Sequence, residues 1–142
     1  MREPLHDSDL ACLANLTQLT TLQVSHSGIT NDGLKNISGL TNLWNLSIGG
    51  EKITDKGLLH LANMNKLGRL YITGNFTDEA LVYLERLPTL SILDIMEGAN
   101  FSPEAVQRFR RNMPDLMIFT TNMRTTMQKQ PGQPKPAAPP RK

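Results

Sequence analysis

The chain has 142 residues, a formal net charge of +2 and a single cysteine. This length leaves room for one domain, and a lone cysteine excludes an intramolecular disulfide and a cysteine-rich zinc site. No stretch approaches the roughly 20 apolar residues that cross a bilayer, and acids and a proline stand where a signal peptide would need an apolar core. We therefore expect no membrane insertion and, for the chain as given, a cytoplasmic protein.

Charge is distributed unevenly along the chain. Residues 1–107 hold seven Lys or Arg and twelve Asp or Glu, whereas residues 108–142 hold eight Lys or Arg and one acid. This asymmetry predicts an acidic folded body followed by a basic tail, and it argues against a nucleic-acid-binding domain.

The first element predicted is half of a repeat. Leu5 and Leu10 stand 24 residues before Ile29 and Leu34, so residues 5–16 match the helix half of a unit whose strand is missing. Cys12 lies in an apolar run there and is expected to be buried. Two explanations remain open: the chain is a fragment of a longer protein, or a partner covers the first strand edge. An uncovered edge predicts self-association through the N-terminal end.

A strand pattern then recurs along the chain. Leu-x-x-Leu-x-hydrophobic begins at Leu19, Leu43, Leu67 and Leu90, and a degraded fifth copy begins at Leu116. With a period of two, Leu22 and Val24 face inward while Gln23 faces outward. The pattern predicts parallel strands centred on the second leucine of each copy.

A helix signature follows each strand. It reads Ile-Thr-Asn-Asp-Gly-Leu from Ile29 and Ile-Thr-Asp-Lys-Gly-Leu from Ile53, with related copies from Phe76 and Phe101. The predicted N-caps, whose hydroxyls can accept from free backbone N–H groups, are Thr30, Thr54, Thr77 and Ser102. Pro103 suits the first helical position. Gly33 and Gly57 are expected where each helix packs near its strand.

These motifs resemble the leucine-rich-repeat family, in the subclass found in F-box/leucine-rich-repeat proteins and in planctomycete-like bacterial repeat proteins. The resemblance covers residues 5–120. It implies an α/β fold, a right-handed solenoid forming a horseshoe segment, with parallel strands on the concave side and helices on the convex side. We predict a domain over residues 5–122 with about four and a half repeats.

The C-terminal part divides at residue 123. A helix is predicted over residues 103–113, and a last strand over residues 116–119. Residues 123–142 are predicted to form a disordered, proline-rich, basic tail. Its P-x-x-P spacings from Pro131 and Pro136 also match a proline-rich ligand, although the pattern is unspecific.

Outward strand positions are the predicted binding surface. The candidates are Gln23, Asn45, Ser47, Arg69, Tyr71, Ile92, Asp94 and Met96. Tyr and Arg are enriched at interface hot spots, and exposed Ile92 and Met96 would need an explanation. The alternative is a solvated face with incidental apolar residues. Trp44 is interpreted either as packed on Gly68 of the next repeat or as an interface anchor.

No constellation of residues predicts catalysis. The sequence shows no paired carboxylates, nucleophile elbow or phosphate-binding glycine loop, so we predict no enzyme activity, cofactor, metal or small-molecule substrate. The predicted function is a protein–protein interaction module that binds through the concave strand face. Two alternatives are a structural slice of a longer repeat protein and a recognition domain of a larger enzyme or effector.

Overall fold

The computed structural model describes residues 3–25 and 27–120. Helices and strands alternate throughout. In chain order they are α1 (Asp7–Leu13), β1 (Thr21–Val24), α2 (Asn31–Asn36), β2 (Asn45–Gly49), α3 (Asp55–Leu58, followed by a 3₁₀ turn at Leu59–Leu61), β3 (Arg69–Thr73), α4 (Asp78–Leu84), β4 (Ile92–Ile95), α5 (Pro103–Asn112) and β5 (Met117–Thr120). The tail predicted over residues 123–142 lies outside the described residues.

The strands form one parallel sheet in the order β1-β2-β3-β4-β5, with helices between successive strands. Thr21 pairs with Asn45, Asn45 with Arg69, Arg69 with Ile92 and Ile92 with Met117. Each strand therefore sits beside the next strand in sequence, as the repeated pattern predicts. The α/β class and the parallel order are confirmed.

The core lies between the sheet and the helices. The second leucines of the internal strands, Leu46, Leu70 and Leu93, are fully buried, as are Leu34 and Leu81 of the helices. Since side chains alternate along a strand, the residues directly before and after each of these leucines point to the opposite side of the sheet. We call that side the open face.

A row of hydrogen bonds joins each helix start to the next, and we call it the cap ladder. In each rung, the first helical residue binds the backbone N–H and the hydroxyl of the N-cap residue one repeat later. The rungs are Asp7–Thr30, Asn31–Thr54, Asp55–Thr77 and Asp78–Ser102. The ladder ends at Pro103, which occupies the first helical position of α5.

Three rungs use a carboxylate, so the N-cap hydroxyl donates to the preceding repeat and its oxygen can still accept from its own helix. Asp55 accepts from the Thr77 backbone N at 2.8 Å and from Thr77 Oγ1 at 2.6 Å. Thr77 Oγ1 in turn accepts from the backbone N of Glu79. Because it is an amide, Asn31 instead donates to Thr54 Oγ1, and Thr54 makes no cap bond to its own helix. The predicted capping role of the Thr54 side chain is therefore wrong.

The repeat glycines make room for this ladder. A Cβ on Gly57 would lie 2.6 Å from Asn31 Oδ1, and one on Gly33 would overlap the Asp7 carboxylate. The prediction that these glycines serve helix–strand packing is incomplete, because the closest atoms belong to the ladder side chain of the preceding repeat.

Glycines of successive repeats also lie against one another at the turns that follow the strands. Gly74 and Gly98 have φ angles of 133° and 97°, a region that L-residues with a side chain rarely adopt. A Cβ on Gly98 would lie 2.7 Å from the Gly74 carbonyl oxygen. Close contact between successive turns therefore requires glycine at this corner.

Two predictions are wrong in detail. Cys12 is exposed rather than buried. The buried residue of α1 is Leu10, and a residue two positions further along a helix lies on nearly the opposite face. The fifth copy does not begin at Leu116: Leu93 pairs with Ile118, so β5 lies one residue out of the predicted phase. Residue 118 consequently faces the core, and Phe119 lies on the open face.

Substitution of Asp55 tests the ladder. Asp55→Ala leaves the Thr77 N–H and hydroxyl without their acceptor, and we expect a loss of about 2–3 kcal/mol in unfolding free energy. Asp55→Asn is the matched control, since Asn31 shows that an amide can form the same rung; it should cost about 1 kcal/mol or less. Urea denaturation measures both, and equal losses would contradict the assigned role.

Candidate functional site

The open face carries two complete rows of side chains across the sheet. One row is Thr21, Asn45, Arg69, Ile92 and Met117, and the other is Gln23, Ser47, Tyr71, Asp94 and Phe119. All eight predicted binding residues follow the predicted outward phase, with Met96 one residue beyond β4. The register therefore brings them onto one surface.

The half of the open face formed by β1 and β2 is small and polar. Ser47 is only 8 % exposed, and its hydroxyl lies 3.0 Å from that of Ser25. The expectation that Ser47 is available to a partner is wrong, because its side chain is buried and its hydroxyl is paired with that of Ser25. Gln23 is exposed and Asn45 is half-buried.

An ion pair lies at the middle of the face. Arg69 Nε donates to Asp94 Oδ2 at 2.9 Å, and the two side chains are 44 % and 13 % exposed. An exposed pair of this kind contributes about 0–1 kcal/mol to stability. Its structural effect is to hold the Arg69 side chain across β4, beside Ile92.

The half formed by β3, β4 and β5 carries an apolar patch, which we define as Tyr71, Ile92, Met96, Met117 and Phe119. Tyr71, Ile92 and Met96 are half-buried. Met117 is 44 % and Phe119 54 % exposed. In register, Asp94 of the ion pair lies between Tyr71 and Phe119, so the patch surrounds this carboxylate and extends to the last strand of the sheet.

Sequence reasoning missed Met117 and Phe119. The run from Leu116 to Phe119 is apolar throughout, so a period of two cannot show which residues face the core. Alignment of Leu116 with the other leading leucines placed Phe119 inside. The pairing of Ile92 with Met117 reverses that assignment.

Trp44 lies at the rim, just before β2. Its side chain is 52 % exposed, and its ring covers Gly68, where a Cβ would lie 2.5 Å from Nε1. The interpretation of packing against Gly68 is confirmed, and one face of the ring also remains exposed. Glycine at position 68 is what allows the ring to lie against the backbone.

A shallow hollow lies at the strand–helix corner of the last two repeats. It is lined by Thr77, Asp78, Asn100, Phe101, Ser102 and Pro103. The Asp78 carboxylate and the Ser102 hydroxyl already bind each other across it. The side chains of Thr77, Asp78 and Ser102 in this hollow are thus used by the cap ladder.

The described part of the chain shows no group of three or more His, Cys, Asp or Glu side chains placed to hold a metal ion. Among the helices within residues 3–25 and 27–120, none has the length and apolar character to cross a membrane.

No protein-family model matches the chain, and a search of curated proteins finds no match. The site must therefore be interpreted from its own geometry.

The phase of β5 can be tested by paired substitutions. Ile118 packs against the core and Phe119 is largely in solvent. We expect Ile118→Ala to lower the unfolding free energy by about 1–2 kcal/mol and Phe119→Ala to change it by less than about 0.5 kcal/mol. A larger loss for Phe119→Ala in urea titration would restore the phase that starts at Leu116.

Proposed function

We propose that the chain is a protein-interaction module that binds a partner on the open face of its sheet. The strand–helix repeats fit a leucine-rich-repeat solenoid, in which this face would be the concave side. The observation that carries the proposal is the apolar patch, because its half-buried and exposed aromatic and aliphatic side chains lie side by side around Asp94 on an otherwise polar sheet face.

Folding of the chain alone gives no reason for these apolar side chains to reach solvent. Single exposed apolar residues are normal, but contiguous ones mark interaction surfaces. Met117 and Phe119 lie next to Ile92 and Asp94 in register. Apolar side chains combined with hydrogen-bonding groups are the usual composition of a protein interface.

The charge on the face favours a protein over a nucleic acid. Nucleic-acid binding depends on several Lys or Arg side chains that neutralise phosphates. Among the described residues of the open face, Arg69 is the only basic one, and it is paired with Asp94. A phosphate backbone would find little to bind here.

The layout of the face indicates which contacts matter. Tyr71 and Arg69 are of the types that dominate interface energies, and Phe119 offers the most exposed aromatic ring on the face. We infer a partner that inserts apolar side chains over β4 and β5 and presents hydrogen-bonding groups to the ion pair.

Site-specific photo-crosslinking tests the proposal. A photoreactive phenylalanine analogue replaces Phe119 in one version of the full chain and Val82 in another, in cells of the source organism. Val82 is a matched control because it is an exposed apolar residue, 39 % exposed, on helix α4. We expect a discrete protein adduct from position 119 that position 82 does not give.

The captured protein is then purified and titrated calorimetrically against the chain. Tyr71→Ser and Phe119→Ser should each weaken binding about tenfold or more, while Val82→Ser should leave it unchanged. Equal adducts from both positions would reject the open face as the binding site. So would a captured protein whose affinity for the chain is unchanged by the Tyr71 and Phe119 substitutions.

A further inference from the structure

Arg69 is the exposed half of the ion pair on the open face. Its side chain is 44 % exposed, whereas that of Asp94 is 13 % exposed. The hydrogen bond to Asp94 uses Nε of the guanidinium, at 2.9 Å, and the terminal nitrogens Nη1 and Nη2 make none within the described part of the chain. The charge that a partner can reach is therefore the cation.

The guanidinium lies among the residues of the apolar patch. Asp94 stands between Tyr71 and Phe119 in register. The bond to Asp94 carries the Arg69 side chain from β3 across to β4, beside Ile92 and one strand away from β5. An ion that binds Arg69 therefore also meets apolar surface.

Other charged groups lie too far away to cancel this cation. Within the described strands, Arg69 and Asp94 are the only charged side chains on the open face. Outside the strands, Glu97 stands three residues after Asp94, Asp115 stands two residues before β5, and Lys66 stands three residues before Arg69. Strand spacing separates each of them from the pair by about 10 Å or more along the backbone, which exceeds the screening length of about 8 Å at physiological salt.

A guanidinium with free terminal nitrogens is suited to a carboxylate. Arginine often binds carboxylates through two parallel N–H···O bonds, and such charge-assisted bonds are stronger than neutral ones. Because Asp94 already holds the Arg69 side chain, less conformational entropy is lost when a second anion binds. The Asp94 charge opposes that anion, so neutralising Asp94 should strengthen anion binding.

The ligand must carry its carboxylate close to an apolar group. Arg69 and Ile92 are directly paired across β3 and β4, where strands lie about 5 Å apart. In a C-terminal residue, the free carboxylate and the side chain are attached to the same Cα. Along an extended chain, successive side chains on one face are about 7 Å apart, and the residue between them points away. The spacing therefore favours a C-terminal residue over an acidic side chain with an apolar neighbour.

We propose that the partner places its own C-terminal residue on this part of the open face. Its carboxylate accepts from Nη1 and Nη2 of Arg69, and its apolar side chain packs on Ile92, Met117 and Phe119. The ligand class is a peptide that ends in an apolar residue with a free carboxylate. This rests on the proposed function and adds the chemistry of the group that makes contact.

Three tripeptides separate the charge from its position. Acetyl-Gln-Gly-Leu has a free C-terminal carboxylate, acetyl-Glu-Gly-Leu-amide carries the same charge on a side chain, and acetyl-Gln-Gly-Leu-amide is neutral. Each is titrated at millimolar concentration into the isotopically labelled full chain, and the resonances are followed by NMR. We expect acetyl-Gln-Gly-Leu to bind about fivefold more tightly than the other two, and to shift the resonances of Arg69 Nε–H, Ile92 and Phe119.

Two substitutions should act in opposite directions. Arg69→Gln should abolish the preference for the free carboxylate, whereas Arg108→Gln, at an exposed arginine of helix α5, should leave it unchanged. Asp94→Asn keeps an oxygen that can accept from Arg69 Nε but removes the opposing charge. It should tighten the binding of acetyl-Gln-Gly-Leu by about threefold.

Equal binding of the three peptides, or binding of none, would overturn the proposal. Binding of acetyl-Glu-Gly-Leu-amide as tight as that of acetyl-Gln-Gly-Leu would overturn it in favour of an acidic side chain. A preference that survives Arg69→Gln, or weaker binding to the Asp94→Asn variant, would also overturn it. None of these results changes the outcome of photo-crosslinking from position 119, which tests the open face itself.

Discussion

Every described helix after the first begins at a hydroxyl that the preceding helix holds in place. The first side chain of one helix accepts from the N-cap backbone N–H of the next, and in three of the four rungs a carboxylate also accepts a hydrogen bond from the N-cap hydroxyl. That hydroxyl oxygen then accepts from its own helix. Spacing between successive helices is thereby fixed by short hydrogen bonds rather than by apolar contact alone.

Other features follow from this spacing. Because the helices are evenly spaced, the strands between them pair side by side in one parallel sheet. This pairing aligns the open-face residues in rows. Glycine at positions 33 and 57 leaves room for the ladder side chains. Once the rows exist, the outward residues decide what the face can bind. Small polar groups on β1 and β2 and larger apolar groups on β3 to β5 give the two halves of one sheet different chemistry.

Much of the fold could be predicted from the sequence, because four copies of the same pattern fix both the strand phase and the helix starts. Prediction failed where the pattern was ambiguous or where contacts cross between repeats. The apolar run at Leu116 concealed the phase of β5, and so hid Phe119. Periodicity places Ser47 outward but cannot show that it is buried there and paired with Ser25. The ladder role of Asp55 was missed because its partner, Thr77, lies one repeat away and Asp is equally ordinary in a first helical turn.

Amide hydrogen exchange measures the ladder most directly. The backbone N–H groups of Thr30, Thr54, Thr77 and Ser102 belong to N-cap residues, which lie outside the hydrogen-bonding pattern of their own helices. In this structure each is instead bound by a side chain of the preceding repeat. We expect these four amides to exchange as slowly as the core strands. Exchange at the rate of exposed loop amides would contradict the ladder and, with it, the account of how the repeats are held in register.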